Sequence, residues 1–128
     1  MMRKEINSQS APEPIGPYSQ AIAANGMLYV SGQIAIDRET GQIVQDSIEA
    51  ETHRVMKNLH AILSAAGIDF SYVVKCSIFL KTMDDFGKVN EIYGQYMPDP
   101  APARETVAVK TLPKDVNVEI SCIACLPA

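Results

Sequence analysis

Alternation of apolar and polar positions predicts most of the strands in this chain. Residues 21–23 and 27–31 flank Asn25-Gly26, a pair that accepts the positive φ of a tight two-residue turn, so they form a β-hairpin. Residues 72–81, YVVKCSIFLK, read as a strand. Val74, Cys76, Ile78 and Leu80 line one face of it, while Val73, Ser77 and Phe79 alternate with lysines on the other. Two more β-branched runs, 106–109 and 116–123, lie either side of Leu112-Pro113-Lys114-Asp115 and predict a second hairpin. Between these runs the period becomes helical. Val55, Leu59, Ile62, Leu63 and Ala66 form one apolar stripe, with Asp46 placed to cap the helix, Glu49 in the return position of a capping box, and Gly67 ending it. A second helix starts at Asp84 or Asp85, turns Phe86, Val89, Tyr93 and Met97 inward, and is stopped by Pro98. Residues 1–14 show no periodicity and predict a loosely ordered N-terminal arm.

The order β-β-α-β-α-β-β gives an α+β two-layer domain, one mixed or mostly antiparallel sheet carrying two helices. With 128 residues, the chain makes a single domain spanning 1–128. Two helices cover only one sheet face. The other still carries apolar positions such as Val73 and Phe79, so it is buried against another copy in a closed homo-oligomer.

Composition narrows the function classes. Fifteen acidic against eleven basic residues give a net charge of -4, and no Lys/Arg stripe forms, which argues against nucleic acid as a partner. No apolar run approaches bilayer length, and no apolar stretch follows the early basic residues, so neither a membrane partner nor a targeting segment is expected and the location is cytoplasmic. Cys122 and Cys125 spell C-x-x-C, but residues three apart on a strand point to opposite faces, so they read as small hydrophobes and not as a metal or redox pair. His53 and His60 are separated by two helical turns, about 10 Å, too far to share a metal.

Candidate chemistry lies in the second predicted hairpin. Glu119 interrupts an apolar strand, where a carboxylate must be solvated, paired or used, and Arg104 stands at the hairpin mouth. Folding about Leu112 and Pro113 places Thr106 opposite Glu119 and sends Arg104, Thr106 and Glu119 to one face. That cluster reads equally as a rim salt bridge or as a site. Gly32, inside a strand pattern, marks a bulge or a close approach of backbone to a ligand.

Over nearly its whole length the chain resembles the RidA/YjgF family of reactive-intermediate deaminases. The resemblance is carried by Ile15-Gly16-Pro17-Tyr18-Ser19-Gln20, Ser31-Gly32-Gln33-Ile34, Asp85-Phe86 with Val89-Asn90 and Tyr93, Pro102-Ala103-Arg104, and Leu112-Pro113 leading to Val118-Glu119-Ile120. It implies a chorismate-mutase-like homotrimer whose sheets form a central barrel, with sites in clefts between subunits. It also implies cofactor-free and metal-free hydrolysis of enamines and imines of the 2-aminoacrylate and 2-iminobutanoate type to 2-keto acids and ammonia. By position in these motifs, Arg104 grips the substrate carboxylate, Glu119 works with the attacking water, and Tyr18, Ser31, Gly32, Asn90 and Thr106 line the cleft. Tyr18 reads as a lid or as an interface residue, Ser31 as a partner of the substrate amine or of its own backbone, and Asn90 as a cleft residue or a structural hydrogen-bonder. The chain departs from the family pattern at Thr106, where close relatives carry cysteine, and at Glu105, where the residue is usually small. The same resemblance leaves room for other readings: a small-carboxylate-binding or chaperone-like regulator, or an endoribonuclease or translation inhibitor.

Overall fold

Asn25 and Gly26 take φ of 51° and 76°, the left-handed pair a tight hairpin turn requires, and so join β2 (Ala21–Ala24) to β3 (Met27–Gln33) as expected. The computed structural model describes residues 2–128. The remaining elements are β1 (Lys4–Ile6), α1 (Ile48–Ala65), β4 (Val73–Leu80), α2 (Phe86–Gly94), β5 (Ala103–Ala108) and β6 (Val118–Cys125). They build a mixed six-stranded sheet in the order β1-β2-β3-β6-β4-β5, antiparallel except where β5 runs parallel to β4. Both helices pack on one face, which makes the architecture α+β in two layers.

The apolar stripe of α1 drives that packing. Val55, Met56, Leu59, Ile62 and Leu63 are fully buried against Leu28, Ile78 and Ile120 of the sheet, each contributing about 2 kcal/mol by leaving water. Val89 and Tyr93 of α2 join the same core, and Ile92, which the stripe reading omitted, is also buried, though outside that cluster. Ser47 caps α1 in place of Asp46, because its backbone is extended and its hydroxyl accepts from the Ala50 amide at 3.0 Å. Gly67, at φ 79°, takes the left-handed position just past the helix end.

Three expectations need correction. The hairpin predicted between residues 106–109 and 116–123 does not form: β4 lies between β5 and β6, pairing parallel with β5 and antiparallel with β6. The ladder continues past β5 through the Val109 amide to the Leu80 carbonyl, and the chain then crosses the end of β4, burying Leu112 and Val116 on the way. Proline and aspartate mark this connection as a turn, but they do not determine which strand edge each arm takes. The second correction concerns β4. Its pairing with β6 shifts register between Val73 and Lys75, so Val73 turns into the core and Val74 is exposed, the reverse of strict alternation. The third concerns the N-terminal segment, which is tied down and not loose: β1 pairs with β2, and Ala11 is fully buried. The buried Gln20 amide holds it. Its oxygen accepts from the Ser8 amide at 2.6 Å, and its nitrogen donates to the carbonyls of Ser8, Ala11 and Pro12 at 3.2, 3.3 and 2.9 Å. Such a clamp leaves no periodic trace in sequence.

The two caps can be told apart by substitution. Ser47→Ala should lower unfolding free energy by about 1 kcal/mol in urea titration, whereas Asp46→Ala should leave it within a few tenths. Equal losses would restore Asp46 as the cap.

Candidate active site

The bulge near the end of β3 and the start of β6 together shape one cleft. Pairing between β3 and β6 shifts register between Val30 and Gln33, so Gly32 lies in the irregular stretch. A Cβ built on Gly32 would lie 2.7 Å from Oε2 of Glu119, closer than any side chain tolerates, so the glycine is what lets the carboxylate lie against the backbone. Glu119 lines a cavity of about 370 Å³ together with Tyr18, Ser31, Gly32, Ile34 and Pro113. Partial burial pushes its carboxyl pKa above the usual carboxylate value, and among the described residues no hydrogen bond or ion pair holds it. Ser31 directs its hydroxyl proton to the Ser19 carbonyl at 2.6 Å, which leaves lone pairs on its oxygen for a donor in the cleft. Tyr18 is about half exposed, and its hydroxyl accepts from the Ile15 amide at 3.3 Å. That bond folds the 15–18 turn over one side of the cavity.

Arg104 lies elsewhere. It is the register partner of Cys76, on the helix-covered side of the sheet, whereas Glu119 is the register partner of Phe79 on the uncovered side. Its guanidinium sits over the rings of Tyr93 and Phe86, 5.1 and 5.8 Å from their centroids, and donates to Asn90 Oδ1 at 2.5 Å. Helix α2 therefore fixes the fork while leaving its remaining donors free for a planar carboxylate. Thr106 follows on the same face, paired in register with Ile78, and among the described residues its buried hydroxyl has no partner, while the buried hydroxyl of Tyr93 lies beside the Cys76 thiol. Burial pushes the thiols of Cys76 and Cys122 and the phenol of Tyr93 upward, so these groups stay neutral at physiological pH.

Of the site residues predicted from sequence, the fold brings Tyr18, Ser31, Gly32 and Glu119 into one cavity and Asn90, Arg104 and Thr106 into a second group on the other face of the sheet. The expected convergence of Arg104, Thr106 and Glu119 on one face of one chain does not occur, because β4 intervenes. Sequence reasoning missed the apolar wall formed by Ile34 and Ile36, and the aromatic support of Arg104 by Phe86 and Tyr93. The aromatic pair had a signal in the inward stripe of α2, but nothing in the sequence placed Arg104 beneath it. Glu105 points to the uncovered face, where Ser77 and Lys75 hold its carboxyl below the usual range, the lysine at 2.9 Å. Cys122 is buried and Cys125 exposed, and no cluster of metal-ligating side chains forms among the described residues. His53 is half-buried against the Tyr96 hydroxyl at 2.7 Å, and His60 is exposed.

Comparison with known proteins places this geometry among relatives. The family model described as Endoribonuclease L-PSP matches residues 8–126. The chain is 51% identical over 126 residues to Protein DfrA of Myxococcus xanthus, covering 97% of this chain and 96% of that one. It is 45% identical over 124 residues to a 2-iminobutanoate/2-iminopropanoate deaminase of Mus musculus, covering 97% and 92%. Among solved structures, a protein of unknown function of the conserved Rid family from Yersinia pestis superposes with a TM-score of 0.95 at 44% identity, covering 98% of this chain and all of that one. No described helix is long and apolar enough to cross a membrane.

The contact between Gly32 and Glu119 predicts a coupling. Gly32→Ala should push the Glu119 carboxylate aside at a cost below about 1 kcal/mol, because the colliding atoms end a flexible side chain, and should cost less still in a Glu119→Ala background where that carboxylate is gone. A double-mutant cycle in urea measures it, and additive losses would contradict the contact.

Proposed function

The chain belongs to the L-PSP endoribonuclease family, which is the YjgF/RidA family, and from that premise we propose that it hydrolyses 2-imino acids and their enamine tautomers to 2-keto acids and ammonia. The observation that carries this reading is a carboxyl group, Glu119, half-buried and unpaired among the described residues in a cleft with apolar walls, with a second group of residues able to take a carboxylate. An enamine of the 2-aminoacrylate type first takes a proton on carbon to become the imine. Water then adds to the carbon of the protonated imine as Glu119 accepts a proton from it, giving a carbinolamine. The same carboxyl returns that proton to nitrogen, and as the carbon–nitrogen bond breaks and ammonia leaves, the carbinolamine hydroxyl gives its own proton to the freed Glu119 carboxylate and becomes the keto oxygen. A carboxyl whose pKa is raised toward neutrality suits that two-way traffic. Arg104, with its plane set by Tyr93, Phe86 and Asn90, offers two parallel donors to the substrate carboxylate and so fixes where the imine carbon sits. Neither step needs a cofactor.

In one subunit these parts lie on opposite faces of the sheet, so the reading includes a homotrimer in which each site takes Glu119, Ser31, Gly32 and Tyr18 from one subunit and Arg104, Asn90 and Thr106 from its neighbour. The uncovered face supports that assembly. It exposes Tyr29 and Val107 beside the half-buried Phe79 and Ile123, surface that a lone subunit leaves in water. With a net charge of -4, the chain suits a small-molecule substrate better than RNA, and a cytoplasmic location goes with this reading.

Imines generated in situ by an amino-acid oxidase or dehydratase provide the assay. The wild type should accelerate keto-acid release, and Glu119→Gln should lower kcat by roughly a hundredfold or more while 2-keto acids still bind. Arg104→Ala should raise KM and also lower kcat as orientation fails, and Arg104→Lys should recover little of either. Release at the spontaneous rate with wild type present would overturn the deaminase reading. Keto-acid binding that persisted in that case and was lost in Arg104→Ala would assign a carboxylate-binding protein.

A further inference from the structure

Helix α1 carries three fully buried polar side chains on its inner face: Glu51, Thr52 and Asn58. Thr52 serves the helix itself, donating to the Ile48 carbonyl at 2.7 Å. The other two reach outside the helix. Glu51 accepts from the Asn117 amide through Oε2 and from the Asn117 side-chain nitrogen through Oε1, both at 2.8 Å. The Asn117 carbonyl in turn accepts from the Lys81 amide at 3.0 Å, so every polar part of the Asn117 backbone and its amide nitrogen are held. Asn117 stands two residues before Glu119, at the end of a turn in which Lys114 and Asp115 both take φ of 54°, a conformation costly for residues with a Cβ. Asn58 donates to the carbonyls of Ile34 and Ile36, both at 3.0 Å, and its oxygen accepts from Arg54 Nε at 3.2 Å. Ile34 and Ile36 form the apolar wall of the same cavity, directly after Ser31 and Gly32.

We propose that Glu51 and Asn58 are positioning residues for the reaction assigned above, α1 acting through them as a rigid spacer that holds the Gly32–Ile36 wall and the Pro113–Glu119 wall of the cleft at their working separation. The inference rests on the deaminase reading for its kinetic consequence and on geometry alone for its structural one. Glu51 and Asn58 are seven residues apart, two turns or about 10 Å along one helix face, so one rigid element sets both walls. Packing alone would be served as well by apolar residues at both positions, without the desolvation that a buried carboxyl and a buried amide require. Side-chain hydrogen bonds have direction, and they lock the turn before Glu119 and the bend after Gly32 in a way that methyl groups cannot. Glu119 needs that precision because it meets the Gly32 backbone with no space for a Cβ.

The experiment compares Glu51→Gln, the milder Asn117→Ala, and Asn58→Ala with Thr52→Val, a buried polar residue of the same helix whose hydroxyl bonds within the helix and to neither wall among the described residues. Gln at position 51 sets an NH2 against one of the two Asn117 donors, while Ala at 117 keeps the backbone bond and loses only the side-chain one. Each clamp variant should lower kcat ten- to a hundredfold with KM changed less than threefold, because the Arg104 group is untouched. Thr52→Val should lose stability in a thermal melt and keep the wild-type kcat. Independently of turnover, the Glu119 carboxyl, identified in 13C-labelled protein by its loss in Glu119→Gln, should titrate closer to the ordinary carboxylate value in the clamp variants as water reaches it. The groups facing it are Glu13 and Tyr18 across the cleft and, in the proposed assembly, Arg104 of the neighbouring subunit; all are retained in these variants. Wild-type kcat and an unmoved Glu119 titration in Glu51→Gln, Asn117→Ala and Asn58→Ala would overturn the positioning role. A moved titration with no acceleration by the wild type would instead retain the clamp and remove the deaminase reading.

Discussion

Strand β4 accepts β5 in parallel along one edge and β6 antiparallel along the other, and the placement of all the candidate chemistry depends on that arrangement. Because side chains alternate across a strand, the register fixes faces: Cys76, Arg104 and Cys122 share the helix-covered side, while Phe79, Val107 and Glu119 share the uncovered side. A local hairpin between β5 and β6 would have joined the two charged residues within a single chain. The observed pairing separates them, leaves each with only half the groups that imino-acid hydrolysis calls for, and leaves an apolar sheet face in water. In the proposed function a second copy laid against that face would resolve both shortfalls at once, so the assembly and the chemistry stand or fall together there.

Within one subunit, short polar contacts support the two groups of candidate residues. On the Arg104 side, two aromatic rings and one asparagine from α2 set the guanidinium plane, so little side-chain freedom would be lost on binding the carboxylate of the proposed function. On the Glu119 side, glycine permits the carboxylate to touch the backbone, and buried amide and carboxyl groups hold the flanking turns. The Gln20 amide does the same for residues 8–12, which bring Pro12 to the rim of the cavity. The apolar core supplies most of the folding energy, and these directional bonds decide where the cleft walls stand.

The readable part of the sequence was the part governed by local rules. Asn25-Gly26 specified its hairpin because few residues tolerate that turn, and the α1 stripe specified its buried face because the helical period is short. Tyr18, Ser31, Gly32 and Glu119 were identified as candidates from motif and from the oddity of a glycine and a carboxylate in strands, and they share one cavity. What escaped was non-local. Nothing between residues 109 and 117 announces that the chain crosses the end of β4, and the bulge that inverts Val73 and Val74 arises from pairing with β6. The caps and clamps made by Ser47, Gln20, Glu51 and Asn58 depend on what lies across from a single polar side chain, and periodicity does not encode that.

The central claim is that Arg104 and Glu119 act in one site contributed by two subunits, and mixing two inactive variants tests it. Arg104→Ala and Glu119→Gln subunits, co-expressed so that they assemble together, would form some boundaries carrying an intact arginine from one chain and an intact glutamate from the other. Random assembly predicts recovery of roughly a quarter of the wild-type activity per site, where each parent alone has almost none. Mixed assemblies verified by native mass spectrometry but no more active than either parent would contradict a shared site.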